Sequence, residues 1–161
     1  MKRMAEGRNP RLSRLNWVFT SDPIYFVTAC TARRQRILAG PDIYHAFLEF
    51  TQRATTLNVY VGRYVLMPDH LHLFVAFGPK SQGLSDWVKS LKNSLSKTLR
   101  AQGIAAPHWQ KDFFDHMLRT RESYHQKWDY VVQNPVRAGL VKSAKDWPFQ
   151  GEVHALETRR A

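Results

Sequence analysis

Between residues 58 and 77 the chain passes through two apolar stretches, NVYVGRYVLM and DHLHLFVAF, separated only at Met67-Pro68. Both are rich in β-branched and aromatic residues, so each is expected to be a strand. The second places His70 and His72 with a single leucine between them. Side chains alternate across a strand, so His70, His72, Phe74 and Ala76 share one face, and Leu71, Leu73 and Val75 share the other. Two imidazoles side by side on so apolar a strand are either hydrogen-bonded core histidines or ligands. A neutral pair at this spacing can chelate a divalent ion.

The rest of the chain supplies partners for these strands. IYFVTACT (24–31) reads as a central strand, and Pro41 suits a first helical position. The segment DIYHAFLEFTQRATTLN then spaces Ile43, Phe47, Phe50 and Ala54 as a helix would. After the loop GPKSQG, Ser85 can cap a helix whose Leu84, Val88, Leu91, Leu95 and Leu99 form an apolar stripe. DFFDHML (112–118) reads as a fourth strand, and Thr120 caps a last helix running to about Asn134, where Pro135 ends it. The expected class is α+β: a ferredoxin-like β-α-β-β-α-β sheet with an additional C-terminal helix. The histidine strand then runs through the middle of the sheet. Its Leu/Val face suits the two helices, which leaves the histidine face open to a substrate or to the extra helix.

At 161 residues the chain is long enough for one domain. The expected organisation is a basic arm over 1–16, a domain over 17–147 and a C-terminal tail over 148–161. Lys and Arg number 24 against 13 acidic residues, a formal charge of +11. Such an excess points first to nucleic acid as partner and second to an anionic membrane. The membrane is the weaker choice, since no apolar run reaches a spanning length. The basic N-terminus has no apolar core of a signal peptide, and the single Cys30 permits neither an intrachain disulfide nor a cysteine-based zinc site. A cytoplasmic location is expected.

On the last helix, Tyr124, Trp128 and Val131 form the expected core stripe, while Tyr130 points away from Trp128 and stacks one turn before Asn134. The helix alone leaves two readings of Tyr130 open: a packing or surface tyrosine, or one that faces a site.

Three blocks in this order, MPDHLHLF, WQKDFFDHMLRTRESY and YVVQNPVRAGLV, resemble the REP-associated tyrosine transposases, a bacterial branch of the single-tyrosine HUH transposases. The resemblance runs over roughly residues 23–147, with one departure at Phe114, where the family often has tyrosine. It implies that His70 and His72 are a metal-binding pair, that Asn134 is the third ligand and that Tyr130 is the nucleophile, on the C-terminal helix. It also implies nicking and rejoining of single-stranded DNA at repetitive extragenic palindrome hairpins through a 5′-phosphotyrosine intermediate. The implied ion is magnesium or manganese, since an amide oxygen and phosphate are hard ligands. A monomer is expected by the same resemblance, with a dimer left open.

For phosphate contacts the candidates are Arg8, Arg11 and Arg14 in the arm, and Lys89, Lys92, Lys97 and Arg100 on the second helix, where Asp86 is the only acid between Gly83 and Gln110. His108, Trp109, Phe113, Phe114 and His116 offer rings on which unpaired bases could stack. The alternative function is a non-catalytic module binding single-stranded DNA or RNA hairpins on a ferredoxin-like sheet. Such a module wants aromatics at facing positions on its central strands, where this chain has histidines.

Overall fold

The elements expected from periodicity occur in the expected order, with short strands added at both ends. The computed structural model describes residues 17–20 and 23–158. In chain order it contains β1 (Trp17–Thr20), β2 (Ile24–Cys30), α1 (Pro41–Arg53), β3 (Val59–Leu66), β4 (His70–Phe77), α2 (Leu84–Ala101), β5 (Phe114–Leu118), α3 (Arg121–Val131), α4 (Asn134–Arg137), β6 (Gln150–Glu152) and β7 (Ala155–Thr158). The main sheet has the order β5-β2-β4-β3-β6, and every neighbouring pair is antiparallel. Its first four strands have the ferredoxin-like arrangement, and β4 is central. β1 and β7 form a separate parallel pair. Among the described residues no helix is long and apolar enough to cross a membrane.

The two faces of the sheet are filled differently. Leu71, Leu73 and Val75 of β4 are fully buried against Ile43 and Phe47 of α1 and Trp87, Leu91 and Leu95 of α2. Burying each of these large side chains contributes about 1.5–3 kcal/mol. On the opposite face, Phe74 and Ala76 pack against Tyr124 of α3 and Leu156 of β7. A third cluster joins Val65 and Met67 to Val131 and Trp147. The histidine face is therefore covered along its Phe74 end and open only around His70 and His72.

A bulge in β3 lets that cover fit. The pairing with β4 shifts between Val61 and Tyr64, so an extra residue reverses which side chains point to which face. Gly62 lies in the bulge, where an added Cβ would come within 2.8 Å of Leu156 Cδ1. Absence of a side chain allows β7 and Tyr124 to approach the sheet.

Several local expectations are corrected. Helix α2 begins at Leu84 behind Gly83, with no side-chain cap, so Ser85 lies inside it. Helix α1 ends at Arg53 and a tighter turn carries the chain to Leu57. The last helix does not reach Asn134: α3 ends at Val131 and α4 begins at Asn134. Pro135 has no N–H to give the Val131 carbonyl, so the ladder of hydrogen bonds is interrupted although Val132 and Gln133 keep right-handed backbone. Residues 150–158, expected in a tail, supply β6 on the exposed edge of β3 and β7 beside β1.

Candidate nucleic-acid processing site

The site is built at the start of β4. A tight hairpin joins β3 to β4, closed by the Met67 N–H donating to the His70 carbonyl at 2.8 Å. The hairpin is tied to the segment after β2, where the Thr31 N–H donates to the Asp69 carbonyl at 3.0 Å and the Leu38 N–H to the Pro68 carbonyl at 2.9 Å. On the other side, the Trp147 indole N–H donates to the Leu66 carbonyl at 2.9 Å. With Val131 packed beside Trp147, this fixes the segment carrying α4 against β3.

Asn134 consequently meets both histidines, although 62 and 64 residues separate them in the chain. Its amide nitrogen donates to His72 Nε2 at 2.7 Å and stands 3.4 Å from His70 Nε2. The other ring nitrogens are already held. His72 Nδ1 is 2.7 Å from Thr28 Oγ1, and His70 Nδ1 donates to Asp69 Oδ1 at 2.8 Å. These partners set the Nδ1–H tautomer, so both Nε2 lone pairs converge on the Asn134 amide. The two rings stand edge to face with centroids 4.7 Å apart.

The electrostatics keep both imidazoles neutral. Burial pushes His72 down to about 3, helped by the repulsion a second proton on His70 would bring and by Lys127, Arg137 and Arg34. His70 is also lowered, chiefly by burial, with Asp69 pulling the other way and Arg34 adding to the effect. Burial works to raise the Asp69 carboxyl, yet the bonds from His70 and Arg34 prevail and hold it below its ordinary value.

Those three cations form a rim that sequence reasoning missed. Arg34 donates from Nε to Asp69 Oδ2 at 2.9 Å and from Nη1 to Cys30 Sγ at 2.9 Å. Both Arg33 and Arg34 take left-handed backbone, with φ of 53° and 55°. Non-glycine residues adopt this at a cost of about 1–2 kcal/mol each. Lys127 Nζ lies 5.1 Å from the Phe26 ring centroid, and Phe26 stacks on His72 at 5.2 Å and 21°. The Arg137 guanidinium sits 4.1 Å from the centroid of the Tyr130 ring. Lys127 had a legible signal, being three residues before Tyr130 on one helix face. Arg137 stood unassigned in the QNPVR block. Arg34 had none, since its place depends on a turn and on the hairpin it ties to.

The structure thus brings His70, His72 and Asn134 together. Tyr130 is at the end of α3 and is 65% exposed, while Tyr124 is buried, as the helix phase requires. Lys89, Lys92, Lys97 and Arg100 lie on α2, across the sheet from the histidines. Lys92 is engaged by the Gln110 and Asp112 carbonyls at 2.9 and 3.1 Å. Lys97 borders an open groove of about 560 Å³ between α1 and α2, with Arg53, Phe50 and Trp87. Arg8, Arg11 and Arg14 fall outside the described residues.

Comparison with known proteins bears on the family and the fold. The family described as "Transposase IS200 like" matches residues 20–131, which include His70, His72 and Tyr130 and stop before Asn134. A REP-associated tyrosine transposase of Escherichia coli (strain K12) is 28% identical over 89 residues, 55% of this chain and 52% of that protein, so the match spans about half of the relative. A putative REP-associated tyrosine transposase of Haemophilus influenzae is 24% identical over 145 residues, 81% of this chain and 80% of that protein. A solved structure of a REP-associated tyrosine transposase bound to a REP hairpin superposes with a TM-score of 0.67 at 24% identity, covering 91% of this chain and 82% of that one. With the family matched over most of its length and the fold matched alongside, this chain belongs to the IS200-like transposase family and is similar to its REP-associated tyrosine transposases.

Proposed function

We propose that this transposase nicks and rejoins single-stranded DNA beside repetitive extragenic palindrome hairpins, with Tyr130 as nucleophile and His70, His72 and Asn134 as ligands of a divalent ion. The observation that carries the reading is the convergence of two neutral, tautomer-fixed imidazoles on one side-chain amide. Among the described residues no three His, Cys, Asp or Glu side chains form a metal cluster, and the side chain that meets both imidazoles is the Asn134 amide. The donor set fits: a half-turn of the Asn134 amide presents Oδ1 in place of the nitrogen, giving two nitrogens and one hard oxygen. That mixture suits magnesium or manganese. When bound, such an ion supplies Lewis-acid charge at the scissile phosphate.

The chain's own residues do the rest. Lys127, Arg137 and Arg34 gather positive potential that draws a phosphate to the histidine face. Asp69 and Thr28 hold the imidazoles in the ligating orientation. Tyr130, exposed at its helix end, gives its proton to solvent as Oη bonds to phosphorus. The P–O3′ bond breaks and the departing 3′ oxygen takes up a proton. The 5′-phosphotyrosine conserves the bond energy, so a 3′-hydroxyl attacking it restores the strand and frees Tyr130.

A cleavage and rejoining assay tests this. Hairpin-bearing single strands, labelled at either end, are incubated with the protein and Mg²⁺ or Mn²⁺. The expected products are a 5′-side fragment ending in a free 3′-hydroxyl, a 3′-side fragment linked to the protein through its 5′-phosphate and, with an added acceptor strand, a recombined strand. A free 5′-phosphate at the earliest times would indicate attack by water and contradict the reading.

A further inference from the structure

Strand β5 is an edge of the main sheet, paired with β2 on one side only among the described residues. Four of its five residues are exposed, and Phe114 is 70% exposed. A bare phenylalanine on an open edge strand invites aggregation and contributes nothing to either core. The register says where it points. Phe114 pairs with Thr28, and Thr28 pairs with His72. Directly opposed residues of antiparallel strands share a face, so Phe114 stands in the same cross-strand row as His72. Two strand spacings separate them, about 10 Å. In the next row His116 pairs with Phe26, which stacks on His72 and lies beside Lys127.

The neighbouring rings are already employed. His108 is buried, with its ring nitrogens 2.9 Å from Ser96 Oγ and 2.9 Å from the Ile104 carbonyl. The Trp109 indole is engaged by the Lys92 carbonyl and Ser96. Among the described aromatic residues around β5, Phe114 and His116 combine exposed rings with a place on the histidine side.

From this we infer that Phe114, with His116 beside it, is a stacking platform for an unpaired nucleobase near the phosphate held at His70, His72 and Asn134. The inference rests on the function proposed above. A stacked strand rises about 3.4 Å per nucleotide, so the base concerned lies within about three nucleotides of the scissile phosphate. Stacking accepts any base and is worth about 5- to 100-fold in affinity per base.

The test couples protein and DNA changes. Fluorescence anisotropy measures binding of hairpin-bearing strands in which one abasic site is walked through the unpaired flank. Wild type should lose about 5- to 100-fold at one or two positions within three nucleotides of the cleavage site. Phe114→Ala should bind the intact strand as weakly as wild type binds the lesioned one, and should ignore the lesion. Phe114→Trp should restore sensitivity, whereas Phe114→Leu, apolar without a ring, should not. If Phe114→Ala keeps both full affinity and lesion sensitivity, the platform is overturned, while adduct formation by wild type would leave the nicking function standing. If Phe114→Ala instead changes the oligomeric state in sedimentation with strand affinity unchanged, the face is a contact between copies and the inference is also overturned. A wild type that binds no such strand fails the platform together with the function beneath it.

Discussion

One strand, β4, shows the contrast between the two sides of this molecule. Leu71, Leu73 and Val75 face two helices and are sealed by apolar side chains alone. His70 and His72, interleaved with them, face a polar cluster of Thr28, Asp69 and Asn134, rimmed by three cations and bordered by left-handed arginines. The first side gains stability from burial. The second tolerates strain, desolvated imidazoles and unbalanced positive charge, costs that persist where the stable side over-determines the structure. On the proposed function, stability and chemistry are thus separated by the alternation of a single strand.

The largest expected effects come from breaking each side in turn. Leu73→Ala should cost about 2–5 kcal/mol, seen as a fall in melting temperature, and any loss of cleavage should follow the folded fraction. His72→Ala should lower cleavage about a hundred- to a thousandfold while a folded protein still binds hairpin strands. Circular dichroism and cleavage rates measured together separate the two. A His72→Ala protein that cleaves at the wild-type rate with metal present would return this histidine to a packing role.

A second contrast lies in the response to acid. Two ordinary histidines would lose roughly tenfold in metal affinity between pH 7.5 and 6 through proton competition. Here His72 is pushed down to about 3 and His70 is lowered as well, so calorimetric Mn²⁺ affinity should fall by less. Stability moves with the same sign. A histidine whose folded value lies below its unfolded value contributes stability above about pH 6.5, and this is lost as pH falls toward 3. Melting of the metal-free protein should show this decline, and His72→Gln should flatten it.

The cations of the two sides can be compared by salt. If four to six phosphates are neutralised, the log–log slope of strand binding should be roughly −3 to −4. Lys127→Ala should reduce its magnitude by about 0.7, as expected for one phosphate of a single strand. The pair Lys89→Ala and Lys92→Ala, across the sheet, should weaken binding and flatten the slope if the strand also wraps α2. An unchanged slope would make that helix an ordinary solvated face. The smallest effect belongs to Tyr124→Phe. This hydroxyl is buried, and burial raises it to about 12 against the pull of the Arg63 charge and backbone N–H. Its removal should change stability by less than about 1 kcal/mol and leave cleavage intact.

Much of this division is legible in the amino-acid sequence. The alternation in HLHLFVA separates the faces of β4, and the leucine spacing of α2 marks its buried side. Helical phase alone tells Tyr124 and Tyr130 apart. Asn134 is legible through a motif and not through helix geometry, since Pro135 breaks the helix between it and the tyrosine. β6 and β7 are not legible: GlnGlyGlu carries no apolar alternation, and its strand exists because the edge of β3 is there to pair with. The cationic rim is hidden for a similar reason. Arg34, Lys127 and Arg137 are brought near His72 by three separate connections, of which only the last helix can be phased from its own residues.

The nucleophile is the central claim, and the chain offers a direct way to test it. Trypsin cutting after Arg121, Lys127 and Arg137 places Tyr124 in the peptide 122–127 and Tyr130 in the peptide 128–137. The covalent complex with a hairpin-bearing strand is trapped in denaturant, digested with nuclease and trypsin, and sequenced by mass spectrometry. The account predicts a nucleotide-modified tyrosine in the peptide 128–137, absent from Tyr130→Phe. Modification in the peptide 122–127, or no covalent complex on any hairpin-bearing strand with Mg²⁺ or Mn²⁺ present, would contradict it.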